Sequence, residues 1–414
     1  MMEKRRVVIT GMGAVTPLGH TVSETWEAAR AGVCGVAPIT LYDASSQKVS
    51  LAAEVKNFDP TKVLDKKEVR RMDRFSQFAM YAAAEAMADS GLDLEQEDTA
   101  RIGVCVSSGV GGMQTFQNSC EVGESRGFDK VSPFFIPMII ANLAAGRIAI
   151  RYGLHGMCTC PVTACAGGSN AVGDAFHYIR DGYADAMVSG GAEATITSLA
   201  IGGFTSMSAL TTASDPNRAS IPFDKERSGF VMGEGAGILV LEELEHAKAR
   251  GAKIYGEIVG YGTNCDAHHI TAPAPGGVGG AACMQLALAD AGLAPEAIGS
   301  INAHGTGTPL NDSCETAAIK AAFGAHAAKL RISSTKSMTG HLLGAAGGVE
   351  GVFTALALHE GFLPATINLQ QPDPACDLDY IPNQGVAEQV EYALSDSLGF
   401  GGHNAAVIFK RWEG

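Results

Sequence analysis

The chain has 414 residues, 46% of them hydrophobic and 18% charged, which is enough apolar material for a large core built as two domains or as one body of two halves. That balance argues against disorder, and a formal charge of −14 argues against non-specific nucleic-acid binding. Ten scattered cysteines with no Cys-x-x-Cys pair point to reduced thiols in a soluble, cytoplasmic protein. The apolar run that follows the basic start, Val7-Val8-Ile9, is too short, and too interrupted by Gly11, Gly13 and Pro17, to be expected of a signal peptide. No run reaches the ~18 apolar residues of a membrane helix.

Arg6–Thr10 is the first strand candidate. Residues 62–74 follow with six basic side chains against three acidic ones. Lys66, Arg70 and Arg74 stand at i, i+4 and i+8, and Lys67 with Arg71 adds a neighbouring row. A helix here carries a basic face, and the alternative is an ordinary solvated one. Helical spacing from Phe75 to Ser90 stops at Gly91. Strand candidates then appear at Ile102–Ser107, Ala186–Ser189, Gly237–Leu241, Lys253–Tyr261, Ser300–Ala303, Leu330–Ser333 and Ala405–Phe409. Helical patterns over Ala281–Ala291 and Cys314–Phe323 lie among them, each stopped by a glycine. The alternation predicts an α/β layered fold. "DSGLDLEQEDTARIGVCVSSG" and "DAGLAPEAIGSINAHGTGT" read alike about half a chain apart. This predicts a duplication with its seam near residues 250–260, in halves 1–255 and 256–414. No Pro- or Ser-rich linker marks the seam, so the halves are expected to pack as one body.

Cys165 lies in Pro161-Val162-Thr163-Ala164-Cys165-Ala166-Gly167-Gly168, ahead of an amphipathic helical pattern through Arg180. A cysteine at a helix start meets unpaired N–H groups and the helix dipole, both of which favour a thiolate. A buried structural cysteine is the other reading. A metal site of Cys158, Cys160 and Cys165 matches no familiar zinc spacing. His304, in Asn302-Ala303-His304-Gly305-Thr306-Gly307-Thr308, and His341, after Thr339-Gly340, both fall in glycine-flanked loops at strand ends, where α/β sheets present catalytic groups. Lys336, held by a carboxylate such as Glu350, would adjust imidazole protonation through its charge, and exposed surface positions are the alternative for both. Gly-Thr-Gly-Thr lacks the Lys-Ser/Thr ending of a phosphate loop, and Gly11-Met12-Gly13 is two glycines of a three-glycine dinucleotide fingerprint.

Across nearly the whole chain, "RRVVITGMGAVTPLG", "RMDRFSQ", "VTACAGGSNAVGDAF", "IPFDKERSGFVMGEGAG", "NAHGTGTPLND", "SSTKSMTGHLLGAAGG" and "SLGFGGHNAAVIF" resemble the β-ketoacyl synthase family. Within it the chain is most similar to bacterial type II elongating enzymes, in their Gram-positive form. The resemblance implies a thiolase-like αβαβα fold of five layers, made of two βαβαβαββ halves, and a homodimer. It implies Cys165 as the nucleophile that takes an acyl chain from acyl carrier protein, and His304 and His341 as donors to a malonyl thioester carbonyl. It also implies Lys336, paired with Glu350, as the group that tunes His304. The N–H groups of Cys165 and Phe400 would form an oxyanion hole. Thr306 and Thr308 would bind the phosphopantetheine arm, with Phe204, Val110 and Phe400 along the acyl tunnel. Lys67, Arg70 and Arg71 would dock the carrier protein. No metal or redox cofactor is required for this chemistry, a decarboxylative Claisen condensation.

Two positions depart from the pattern. His403 stands where many relatives carry Thr, and Asp396 stands where Asn is usual, in a segment that resembles a structural cation site with Asn302, Glu350 and Ser395. A thiolase would need a second cysteine where His403 lies. An initiating synthase would have Asn in place of His341, and a chain-length partner would lack Cys165. The catalytic ketosynthase of a type II polyketide system keeps the same triad and stays as the alternative.

Overall fold

In the computed structural model, which describes residues 4–414, two glycine pairs set the packing of two equivalent helices. Strand β1 (Val7–Val15) continues through Gly11 and Gly13, with a break in its pairing register between Ile9 and Gly11. Only glycine fits at these two positions, because a Cβ there would lie 2.3 Å and 1.9 Å from the carbonyl oxygens of Ala86 and Ala82 in helix α1 (Arg74–Ser90). The glycines read from sequence as interruptions are where helix and strand touch most closely.

The same device recurs half a chain later. Gly260 and Gly262, in the strand Gly256–Cys265, meet the carbonyls of Ala287 and Cys283 in the helix Val278–Ala291 at 2.5 Å and 2.2 Å from an added Cβ. Helices α1 and Val278–Ala291 both end on a left-handed glycine, Gly91 and Gly292.

Ten strands form the main sheet. After β1 come β2 (Ile102–Ser107), β3 (Cys158–Thr159), β4 (Ala186–Glu193) and β5 (Gly235–Glu243). The second set is β6 (Gly256–Cys265), β7 (Ile298–Asn302), β8 (Arg331–Ser333), β9 (Tyr392–Gly399) and β10 (His403–Arg411). Their order is β3-β2-β4-β5-β1-β6-β10-β9-β7-β8, so each set of five repeats the order third, second, fourth, fifth, first. The two first strands join the sets, antiparallel, through Val7–Ile258, Val8–Glu257 and Ile9–Gly256.

Helix α2 (Gly167–Arg180) and helix α5 (Ala346–Glu360) each pack on strands of both sets and form the middle layer. Helix α5 is buried on nearly every side, as a helix packed between the two sets of strands must be. Helix α1 covers one outer face, while helices α3 (Val278–Ala291) and α4 (Pro309–Phe323) cover the other. Three apolar cores follow: a central one with Val172, Phe176, Val349 and Phe353, and two outer ones around Phe75 with Phe78 and around Met284 with Ile319. This is the five-layered α/β architecture that the resemblance implied. Among the described residues no helix is long and apolar enough to cross a membrane.

Candidate active site

Cys165 lies in a 3-10 turn, Ala164–Ala166, that leads directly into α2, and no side chain caps the start of that helix. Ala164 carries a φ of 50°, a conformation few non-glycine residues adopt, and it turns the cysteine sharply out of the preceding chain. Glycines after the cysteine permit close packing. A Cβ on Gly168 would sit 2.7 Å from the Gly348 nitrogen, so α2 and α5 approach backbone to backbone.

His304 follows β7 in a loop held by one carboxylate. The N–H groups of His304 and Gly305 donate to the two oxygens of Glu315 at 2.7 Å and 2.8 Å. His341 is fixed by its backbone: its N–H donates to the Val231 carbonyl at 2.7 Å, and its own carbonyl accepts from Gly233 at 2.8 Å. The two imidazole centroids lie 5.2 Å apart with ring planes at 88°. Phe230 stands edge-on to His341, Phe204 stands edge-on to Phe230, and Phe400 lies beyond Phe204. Histidines and phenylalanines thus line one continuous wall.

That wall encloses a cavity of about 380 Å³, bordered by Cys165, His304, His341, Thr306, Thr308 and Phe400 among others. Three loops from distant parts of the chain, predicted to carry chemistry, therefore meet. Lys336 is only 1% exposed and its Nζ donates to Glu350, so neither residue is a solvated surface group.

Burial holds both imidazoles well below the usual histidine range, and the Lys336 charge adds to the effect. They are neutral at pH 7. Burial likewise pushes the Cys165 thiol up to about 12, against the lowering influence of Lys336 and the Phe400 N–H. Burial and the helix start therefore act on this thiol in opposite directions.

Other expectations shift. The basic segment is not one helix: Lys66–Val69 forms a short turn capped by Asp65, and a new helix starts at Arg74 after its cap Asp73. Lys67 and Arg70 are exposed, whereas Arg71 is half-buried with its guanidinium 4.6 Å from the Phe134 ring centroid. Arg74 turns away into a bidentate pair with buried Glu234, at 2.7 Å and 2.9 Å, and leaves the basic face. Val110 is absent from the cavity wall, where its tunnel role had been expected. Its N–H donates to Glu193, and its side chain is partly exposed on the protomer.

The expected cation ligands divide between two faces of the sheet. Ser395 pairs in register with Asn302, and pleat alternation sends Asp396 to the opposite side, beside Glu315. Buried oxygens of Asn302, Glu350, Ser395 and Asp396 have no hydrogen-bond partner, and oxygen-only donors suit a hard cation. Among the described residues no group of three or more His, Cys, Asp or Glu is arranged for a metal.

Sequence reading passed over Glu193, Glu315 and Phe230. The signal for Glu315 was available: with Asp312 it stands at i, i+3 on an otherwise Ala-rich helix directly after the His304 loop.

A buried cysteine with two neutral imidazoles and a closed lysine–carboxylate pair defines a site for acyl transfer through a thioester. The comparisons agree with that class. The model described as Beta-ketoacyl synthase, N-terminal domain, matches residues 4–247, and that described as Beta-ketoacyl synthase, C-terminal domain, matches residues 255–370. The chain is 53% identical to the 3-oxoacyl-[acyl-carrier-protein] synthase 2 of Synechocystis sp., over 100% of this chain and 99% of that one. It is 52% identical to the protein of the same name in Staphylococcus aureus, over the full length of both. Among solved structures it resembles the ishigamide ketosynthase/chain length factor, with TM-score 0.93 and 38% identity over 99% of this chain and 100% of that one. It also resembles a type II polyketide ketosynthase solved with its acyl-carrier protein, AntDE:AntF, with TM-score 0.90 and 35% identity over 99% and 100% of the two chains. The chain belongs to the β-ketoacyl synthase family.

Proposed function

We propose that this protein is an elongating 3-oxoacyl-[acyl-carrier-protein] synthase of fatty acid synthesis, with Cys165, His304, His341 and Lys336 as its working groups. The observation that carries this reading is the single cavity on whose wall the thiol and both imidazoles stand together. The carrier-protein thioester enters past Thr306 and Thr308, whose hydroxyls lie 3.1 Å apart on the cavity wall. Cys165 sulfur attacks the acyl carbonyl, its proton passes to a neutral imidazole, and the N–H groups of Cys165 and Phe400 receive the oxyanion. The bond to the carrier-protein sulfur then breaks, and that sulfur leaves as the free thiol with the imidazole's proton.

Malonyl-carrier protein then binds with its thioester carbonyl facing the two imidazoles. Loss of carbon dioxide leaves an enolate, and N–H donors from His304 and His341 lower the cost of its charge. Neutral rings suffice as donors, which is the state that burial and Lys336 favour. The enolate carbon attacks acyl-Cys165, the sulfur leaves, and the product carries two more carbons.

Phe204 and Phe400 would guide the acyl chain. Lys67 and Arg70 would dock the acidic carrier protein, with Arg71 contributing from its place over Phe134. Val110 would join the tunnel from the neighbouring loop rather than from this wall. We divide the chain into halves 1–255 and 256–414, each with its own set of five strands. The reading also has the protein working as a cytoplasmic homodimer. Phe116, Phe128, Ile136 and Ile140, exposed on the protomer, are what a second copy would cover. Asn302, Glu350 and Ser395, with Asp396 beyond them, would hold a structural cation that supplies charge balance and no catalytic step.

A condensation assay with malonyl- and acyl-carrier protein tests this. Product should form with the parent and vanish in Cys165→Ala and His304→Ala, and product retained without Cys165 would refute the mechanism. Two-carbon saturated elongation in a reconstituted cycle supports fatty acid synthesis, whereas poly-β-keto products would favour the polyketide reading that the 35–38% identical structures keep open.

A further inference from the structure

Each half of the molecule builds the same sharp elbow. In the first, Ala164 at φ 50° opens a 3-10 turn that carries Cys165 and leads into α2. In the second, Leu343 at φ 47° opens the turn Leu343–Ala345 and leads into α5. Gly344 therefore stands where Cys165 stands. The strand ends facing the elbows also correspond, since Glu193 closes β4 opposite Gly235 as Gly399 closes β9 opposite His403.

At the first elbow the end of β9 lies against the nucleophile, and a Cβ on Gly399 would be 3.3 Å from the Cys165 nitrogen. At the second, the Glu193 carboxylate takes up the corresponding space. It accepts from the Gly344 N–H at 3.0 Å, the Gly109 N–H at 2.7 Å, the Ser108 hydroxyl at 3.0 Å and the Val110 N–H at 3.3 Å. Glu193 is fully buried, with four donors and no cation within hydrogen-bond reach. It joins a loop of the first half to the turn that begins two residues after His341. The first-half loop also reaches the nucleophile, because a Cβ on Gly109 would be 3.7 Å from the Ala164 carbonyl.

We propose that Glu193 is a positioning residue for condensation: its carboxylate closes the second elbow and fixes the His341 loop in register with the Cys165 loop. A buried carboxylate with four donors is a rigid joint, because release of any donor leaves it unpaired away from water. Glu193 touches no reacting atom. Its effect reaches the cavity through Leu343, which lines the wall beside His341.

The inference rests on the synthase reading, so the parent's condensation activity is measured first. Inactive parent protein would count against that reading and not against Glu193 alone. Glu193→Gln keeps the shape but turns an NH₂ group toward backbone N–H donors. Its kcat for condensation should fall at least tenfold while KM for malonyl-carrier protein stays within twofold, since the basic docking face is untouched. Single-turnover acylation of Cys165 should fall less than threefold, because the first elbow keeps its own backbone contacts. A general loss of structure would lower both steps together. Ser108→Ala removes one donor of the four, and its kcat should fall about threefold with KM again unchanged. Parent-like kcat in folded Glu193→Gln overturns the proposal. If that variant does not fold, parent-like kcat in Ser108→Ala overturns it, and so does an acylation rate that falls in parallel with condensation in either variant.

Discussion

Lys336 lies with its ammonium on Glu350, buried behind the imidazoles of His304 and His341, and its charge acts on both rings. The pair is closed to solvent, and Glu350 accepts from the ammonium beside the two rings. Desolvation comes first in lowering both histidines, and Lys336 adds to it.

Malonyl decarboxylation should therefore be flat from pH 8 down past 6.5, with its acid limb well below the ordinary histidine range. Stability follows the same sign. The folded state binds fewer protons than the unfolded one once pH falls below 6.5, so the contribution is complete above that value and is lost as pH drops toward the folded pKa. Lys336→Met removes the positive charge, should move the acid limb upward, and should lower kcat. Rates across pH 4.5–8 check this, and a parent acid limb centred at 6.5 would contradict it.

The basic segment divides into two roles. Lys67→Glu with Arg70→Glu should weaken carrier-protein binding at least tenfold, with the loss shrinking as salt rises, because both groups are exposed. Alkylation of Cys165 by a small reagent should be unchanged. Arg74→Ala should behave differently: it strands Glu234, a buried carboxylate, and should cost about 3–5 kcal/mol of stability. Binding measured by fluorescence anisotropy and unfolding measured in urea separate the two. Equal loss of binding in all variants, with stability intact, would merge the roles again.

The three loops that meet at the cavity were legible because each presents a reactive side chain among glycines at a strand or helix end. Strand β9 was not. Its Ser395, Asp396, Ser397 and Gly399 lack the β-branched alternation that marks a strand, and its polar groups are buried, as where Ser397 meets Ser169 at 2.8 Å. Helix α5 was equally hidden, because Gly347, Gly348 and Gly351 argue against a helix by propensity while permitting contact with α2 and the sheets. The i, i+4, i+8 spacing misled for Arg74 because the Asp73 cap breaks the segment before the pattern is complete. Glu193 left no local signal at all. Its four donors come from residues 83 to 151 positions away, and only the fold assembles them.

Asp396 faces Glu315 across the buried side of β9, and burial pushes its carboxyl up to about 7. Asn at this position would donate to Glu315 and remove one of two adjacent carboxylates. Asp396→Asn should therefore melt higher than the parent in chelated buffer while condensing at a similar rate. Added potassium, magnesium or calcium should raise the parent's melting temperature and narrow the gap, since an oxygen-bound cation offsets the same repulsion. A variant less stable than the parent without added cation would show that the second carboxylate is not a burden there.

Cys165 supplies the last expectation. Burial leaves the thiol protonated, with a pKa of about 12, so its alkylation by iodoacetamide should climb close to tenfold per pH unit between 7 and 10 without levelling. Cys158 and Cys265 are exposed and will also react, so the rate must be read at the Cys165 peptide by mass spectrometry. Lys336→Met should slow the reaction at every pH, because the lysine is the largest influence holding the thiol down. A plateau below pH 8 in the parent would mean that the sulfur already rests as an anion, and deprotonation by an imidazole would then drop out of the acyl-transfer step.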